Sequence, residues 1–111
     1  MSKVYIPQVP SRFDKGAGVW VPNFDVSGAA KFGEVVTMMP PEANRLNTAP
    51  LAQALREKMA AFTADDYVVA LGDPTIFAIV ACLAVRHCNG NLRMLKWDRM
   101  TADYLPVEVR I

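Results

Sequence analysis

Three short stretches carry the side chains and backbone freedom to hold a small ligand. They are Asn44-Arg45, Gly72-Asp73-Pro74-Thr75 and Lys96-Trp97-Asp98-Arg99. An Asn-Arg pair can grip an anion, although Arg45 can equally pair with a carboxylate and pin its own loop. In the second stretch Gly72 permits a tight turn, and Asp73 can accept hydrogen bonds from the backbone N–H groups that follow. That is the behaviour of a helix N-cap, and the same carboxylate could instead hold a ribose hydroxyl or a metal-bound water. The third stretch mixes basic and aromatic groups as nucleic-acid surfaces do, but Asp98 and Asp103 cancel much of its charge. A hairpin end with Trp97 packed by its neighbours is the simpler reading. The candidate ligand-binding set is therefore Asn44, Arg45, Gly72, Asp73, Thr75, Trp97 and Arg99, with Glu42, Lys96 and Asp98 close by.

A catalytic set cannot be assembled around these residues. His87 is the only histidine, so no serine or cysteine has a histidine partner for nucleophilic catalysis. Cys82 and Cys88 do not form a Cys-x-x-Cys pair, and His87 with Cys88 would need further ligands to bind a metal. Neither Gly-x-Gly-x-x-Gly nor a Gly-x-x-x-x-Gly-Lys loop is present, so a nucleotide cradle lacks its usual signal. No cofactor and no metal site is expected.

The elements that must position the candidates follow from periodicity. Tyr67 to Leu71 is an apolar strand stopped by Gly72, with Asp73 as N-cap and Pro74 as first helical residue of a helix over about Thr75 to Cys88. The run Ile76 to Val85 is wholly apolar, so this helix needs cover on more than one side, and Ala81 and Cys82 are expected in the core. Leu51, Leu55, Met59 and Phe62 follow helical spacing and predict an amphipathic helix over Ala49 to Phe62. Glu34 to Met39 reads as a buried strand and Leu92 to Trp97 as a third. Tyr104 to Ile111 reads as an antiparallel edge strand, because it alternates with period two and contains Pro106. Short β-α-β connections imply parallel pairing. The fold expected is α/β: a small Rossmann-like β-α-β-α-β sheet over residues 34–111 with a C-terminal antiparallel strand. Residues 1–33 form an irregular arm interrupted by prolines and glycines. It holds half of the aromatic residues (Tyr5, Phe13, Trp20, Phe24 and Phe32), so it should be ordered on the core or on a neighbouring subunit. Val4 to Ile6 and Val19 to Pro22 could be short edge strands within it. In such a sheet the loops Pro40 to Thr48, Gly72 to Thr75 and Asp98 to Asp103 converge beyond the strand carboxyl ends, where ligands bind.

Composition bounds what is left. The chain of 111 residues suits one domain with a single core. With 52% hydrophobic and 21% charged residues it is not a disordered chain. A formal net charge of +1 supplies no global field for nucleic acid or anionic membranes. The N-terminus has no signal-peptide pattern, and ten apolar residues from Ile76 are too few to span a bilayer. Cys82 and Cys88, in one helix, are separated axially by roughly 9 Å, too far for a disulfide.

Two resemblances can be read from short words. Val-Ala-Leu-Gly-Asp-Pro (69–74) is similar to a strand-end motif of tetrapyrrole methylases, which bind S-adenosylmethionine, though this chain is far shorter than those two-domain enzymes. With Phe-Gly-Glu (32–34), Pro-Pro-Glu-Ala-Asn-Arg (40–45), Leu-Gly-Asp-Pro (71–74) and Leu-Lys-Trp-Asp-Arg (95–99), the whole chain resembles small proteins encoded by tailed bacteriophages. That resemblance implies expression in the bacterial cytoplasm and carries no activity with it. Phage proteins of this size often act by binding a host or phage protein.

The function expected is therefore a non-catalytic accessory protein working by protein–protein contact, self-associating as a homodimer. An alternative is a small-molecule or nucleotide binder, or an enzyme, with its site at the strand ends. A second alternative is a nucleic-acid binder using Arg93, Lys96, Trp97 and Arg99.

Overall fold

The computed structural model describes residues 2–111. Strand β1 (Lys3–Gln8) is followed by a hairpin of β2 (Ser11–Asp14) and β3 (Val19–Pro22), then a 3₁₀ helix (Ser27–Phe32). Next come β4 (Glu34–Met39), α1 (Thr48–Lys58), β5 (Tyr67–Val69), α2 (Pro74–His87), β6 (Asn91–Asp98) and β7 (Asp103–Arg110). The five-stranded sheet has the order β4-β1-β5-β6-β7. Its first four strands are parallel and β7 is antiparallel to β6, while β2 and β3 make a separate two-stranded sheet. The mixed α/β class expected from periodicity is what the chain adopts.

The main correction is β1. Val4 to Ile6 was expected to be an edge strand of an irregular arm, yet it lies between β4 and β5 with Val4, Tyr5 and Ile6 buried. Pro7 is the source of the error, since proline normally marks an edge. Here β5 is only three residues long, and its pairing with β1 runs from Val4 to Tyr5. Pro7 sits beyond that ladder, where no N–H is needed. The boundary expected at residue 33 thus falls after a strand that belongs to the sheet. Glu34 to Met39, read as a buried strand, is the sheet's edge because β1 takes the interior position.

Side chains alternate across strands, so each strand feeds two cores. Tyr5, Val68 and Leu92 meet Leu55 of α1, Met59 just after it, and Ile76 and Val80 of α2 on one face. Val4, Ile6, Val69, Leu95 and Tyr104 meet Ala29 of the 3₁₀ helix on the other. Handedness explains the division. The β4–α1–β5 and β5–α2–β6 connections advance in one direction across the sheet, and the β1–β4 connection runs the opposite way. Right-handed crossovers then require opposite faces.

Helix α2 differs from the expectation of burial all round. Ile76, Val80, Leu83 and Ala84 face the sheet and are buried, whereas Ala81 is half-buried and Cys82 is exposed. The 3₁₀ helix of the N-terminal arm packs on the far side of the sheet and does not cover the outer face of α2.

The β7 edge is blunted as Pro106 suggests. The Ile111 N–H donates to the Gly90 carbonyl at 2.8 Å, and the β6–β7 register continues that pattern of alternating pairs. The Leu95–Pro106 pair falls between the hydrogen-bonded ones, so the proline nitrogen faces the open edge.

Candidate functional site

Strand order reverses between β1 and β5, and a crevice of about 230 Å³ opens at their carboxyl ends. Gln8, Ser11 and Asn23 line it from the N-terminal third of the chain, and Arg45, Gly72 and Asp73 from the predicted loops. Gly72 has φ +110°, and a Cβ there would come within 2.9 Å of the Gln8 Cβ and 3.0 Å of its carbonyl oxygen. Only glycine lets the two strand ends approach so closely.

The polar groups of the crevice mostly satisfy one another. Gln8, buried, donates from Nε2 to the Pro40 carbonyl at 3.0 Å and accepts the Asp73 N–H on Oε1 at 3.1 Å. Asp73 Oδ2 accepts the Thr75 N–H at 2.9 Å, the N-cap expected, while Oδ1 lies 3.8 Å from Arg45 Nε. The Arg45 side chain is 56% exposed, so this pair pins the loop only weakly. Of the predicted residues, then, Arg45, Gly72 and Asp73 meet, and Thr75 contributes its backbone.

The others lie elsewhere. Asn44 Oδ1 accepts the N–H groups of Leu46 and Asn47, shaping its own loop. Trp97 packs edge-on against Tyr104 with ring centroids 5.1 Å apart. Asp98 accepts the Thr101 hydroxyl at 2.8 Å, and exposed Arg99 opens the β6–β7 turn. The stretch around Trp97 is therefore a hairpin end on β6, outside the lining of the crevice. Sequence reading missed Gln8, Ser11 and Asn23. The one local signal was a polar residue closing the apolar run Val4 to Pro7.

Among the described residues, the β2–β3 hairpin is joined to no other strand. Phe13 and Trp20 face each other across it, centroids 5.5 Å apart in an edge-on pair, and are 49% and 41% exposed. Val19, on the opposite face of the hairpin, and Phe24, after β3, are also exposed. Both ends of the hairpin are fastened. At the tip Asp14 Oδ1 accepts the Gly16 N–H at 2.9 Å, and at the base the Asn23 N–H donates to the Pro10 carbonyl at 2.7 Å. Of the aromatics in residues 1–33, Tyr5 is buried in the core and Phe32 packs on Tyr67, while Phe13, Trp20 and Phe24 face outward.

Among the described residues, no helix is long and apolar enough to cross a membrane. Neither a curated protein nor a solved structure matches the chain. The model of one protein family, described as Phage Pam3 gp32-like protein, matches residues 2–111, and the chain belongs to that phage protein family.

Proposed function

We propose that this is a non-catalytic accessory protein of the infected bacterial cytoplasm that works by protein–protein contact and pairs with itself through the β2–β3 hairpin. The exposed Phe13–Trp20 pair carries the reading. A two-stranded hairpin is marginal alone and needs further strands or an apolar surface against it. Exposed aromatic clusters on an ordered scaffold are the usual anchors of protein interfaces. Tagged wild-type protein and a Phe13→Ser/Trp20→Ser variant, recovered from phage-infected cells, test it. A defined protein should accompany the wild type and be lost from the folded variant. Equal recovery with both would remove the hairpin from the function.

The strand-end crevice supports a second reading, a small-molecule or nucleotide site on a Rossmann-like sheet, because reversals of strand order are where such sheets bind ligands. Mutual satisfaction of Gln8, Asp73 and the Pro40 carbonyl speaks for a stitched loop instead. A nucleotide or S-adenosylmethionine that raises Tm in wild type but not in Arg45→Ala would favour the second reading.

A further inference from the structure

We infer that the groove between α1 and α2 docks an amphipathic helix of a partner protein whose apolar face is flanked by acidic residues. The groove, about 280 Å³, is formed by Ala52 and Arg56 of α1 with Ala78, Ile79, Cys82 and Arg86 of α2. Its apolar part is the outer face of α2, where Ala78 and Cys82 are exposed and Ile79 is half-buried. Ala52, Ala78 and Cys82 are small, so a third helix can approach to ordinary packing distance, its larger apolar side chains meeting Ile79.

Charge selects the occupant. Arg56 and Arg86 flank the groove, and among the described residues neither guanidinium has a carboxylate within 4.0 Å. Among the described residues, Arg56 donates a side-chain hydrogen bond only to the Gln53 side-chain carbonyl. Both helices run against the parallel strands, so their last turns lie at the same end, where Lys58 adds another cation. A second copy related by a two-fold axis would bring arginines against arginines, which disfavours self-docking here. Two cations beside an apolar floor without aromatic rings are not a track for a phosphate backbone. Glutamates at the borders of an apolar helix face would meet both forks as charge-assisted pairs. The groove is separate from the β2–β3 hairpin, so either contact can fail without the other.

The probe is a synthetic amphipathic peptide of about three turns, the length of α1, with leucines on one face and glutamates beside them. Binding is read by anisotropy of the labelled peptide and by maleimide alkylation of the full chain. Cys82 is exposed in the groove, whereas Cys88 is half-buried and burial pushes its thiol up. Alkylation therefore reports Cys82, with Cys82→Ser as control. The expected result is slower alkylation of Cys82 as the peptide saturates and affinity weaker by about tenfold in Arg56→Glu/Arg86→Glu. A peptide with lysines in place of the glutamates should prefer that variant. Equal binding of both peptides to wild type, unchanged Cys82 alkylation at saturation, or equal protection by duplex DNA would overturn the assignment.

Discussion

Gln8 and Asp73 divide the work at the crevice between them. Asp73 is an N-cap, and serine or asparagine can replace an aspartate in that role. Asp73→Asn should leave stability within about 1 kcal/mol, whereas Asp73→Ala should cost about 0.5–2 kcal/mol in urea unfolding. Gln8→Leu should cost more than Asp73→Asn, about 1–3 kcal/mol for each partner left unsatisfied, because both the Asp73 N–H and the Pro40 carbonyl lose their bond. Stability of Gln8→Leu equal to wild type would mean water serves these groups as well as the amide does. The Gly-Asp-Pro-Thr cap was legible because its partners are neighbours in the chain. Gln8 was not, because its partners lie 32 and 65 positions away. Asp103 gives a second test at this scale. A hydrogen bond from the Lys31 side chain, then one from the Tyr104 N–H, holds its carboxyl below the ordinary 3.8. A carboxyl lowered in the folded state stabilises above its unfolded value, and that contribution is lost as pH falls through the folded value. Tm measured from pH 7 down to about pH 3 should therefore fall less in Asp103→Asn than in wild type. Parallel curves would show that the Lys31 bond adds nothing.

Among the elements, α2 shows what periodicity can and cannot resolve. Every position from Ile76 to Val85 is apolar, so the existence of the helix was legible but its inward face was not. The sheet selects Ile76, Val80, Leu83 and Ala84, one stripe at helical spacing, and leaves Cys82 outside. Cys82→Asp should accordingly change stability by no more than about 0.5 kcal/mol, while Ala84→Asp, with an unpaired charge at a fully buried site, should lose about 4 kcal/mol or fail to fold. Similar melting curves for the two variants would mean that the rotation of α2 is wrong. β1 was hidden for a different reason. A run of six residues ending in Pro7-Gln8 carries a local edge signal, and only the shortness of β5 frees the proline from pairing.

For the whole molecule, the order β4-β1-β5-β6-β7 has no local signature. β1 pairs with β4 across about thirty residues, from Lys3 with Glu34 to Gln8 with Met39. Helix and strand types from Glu34 onward could be read from pattern, but not which strand lies in the middle. The connection from β1 to β4 must cross the face opposite the α-helices, and there the 3₁₀ helix covers the sheet while β2–β3 forms a separate two-stranded sheet. With extents of 46 × 37 × 22 Å, the molecule is broad and flat. The proline nitrogen at the open edge of β7 discourages pairing there, and the self-association proposed above would use the hairpin aromatics. Sedimentation velocity at micromolar concentration, on wild type and on Phe13→Ser/Trp20→Ser, tests this most directly. The account predicts twice the 12.2 kDa chain mass for wild type and the single-chain mass, with unchanged Tm, for the variant. A single-chain mass for wild type, or a dimer that survives loss of both aromatics, would contradict it.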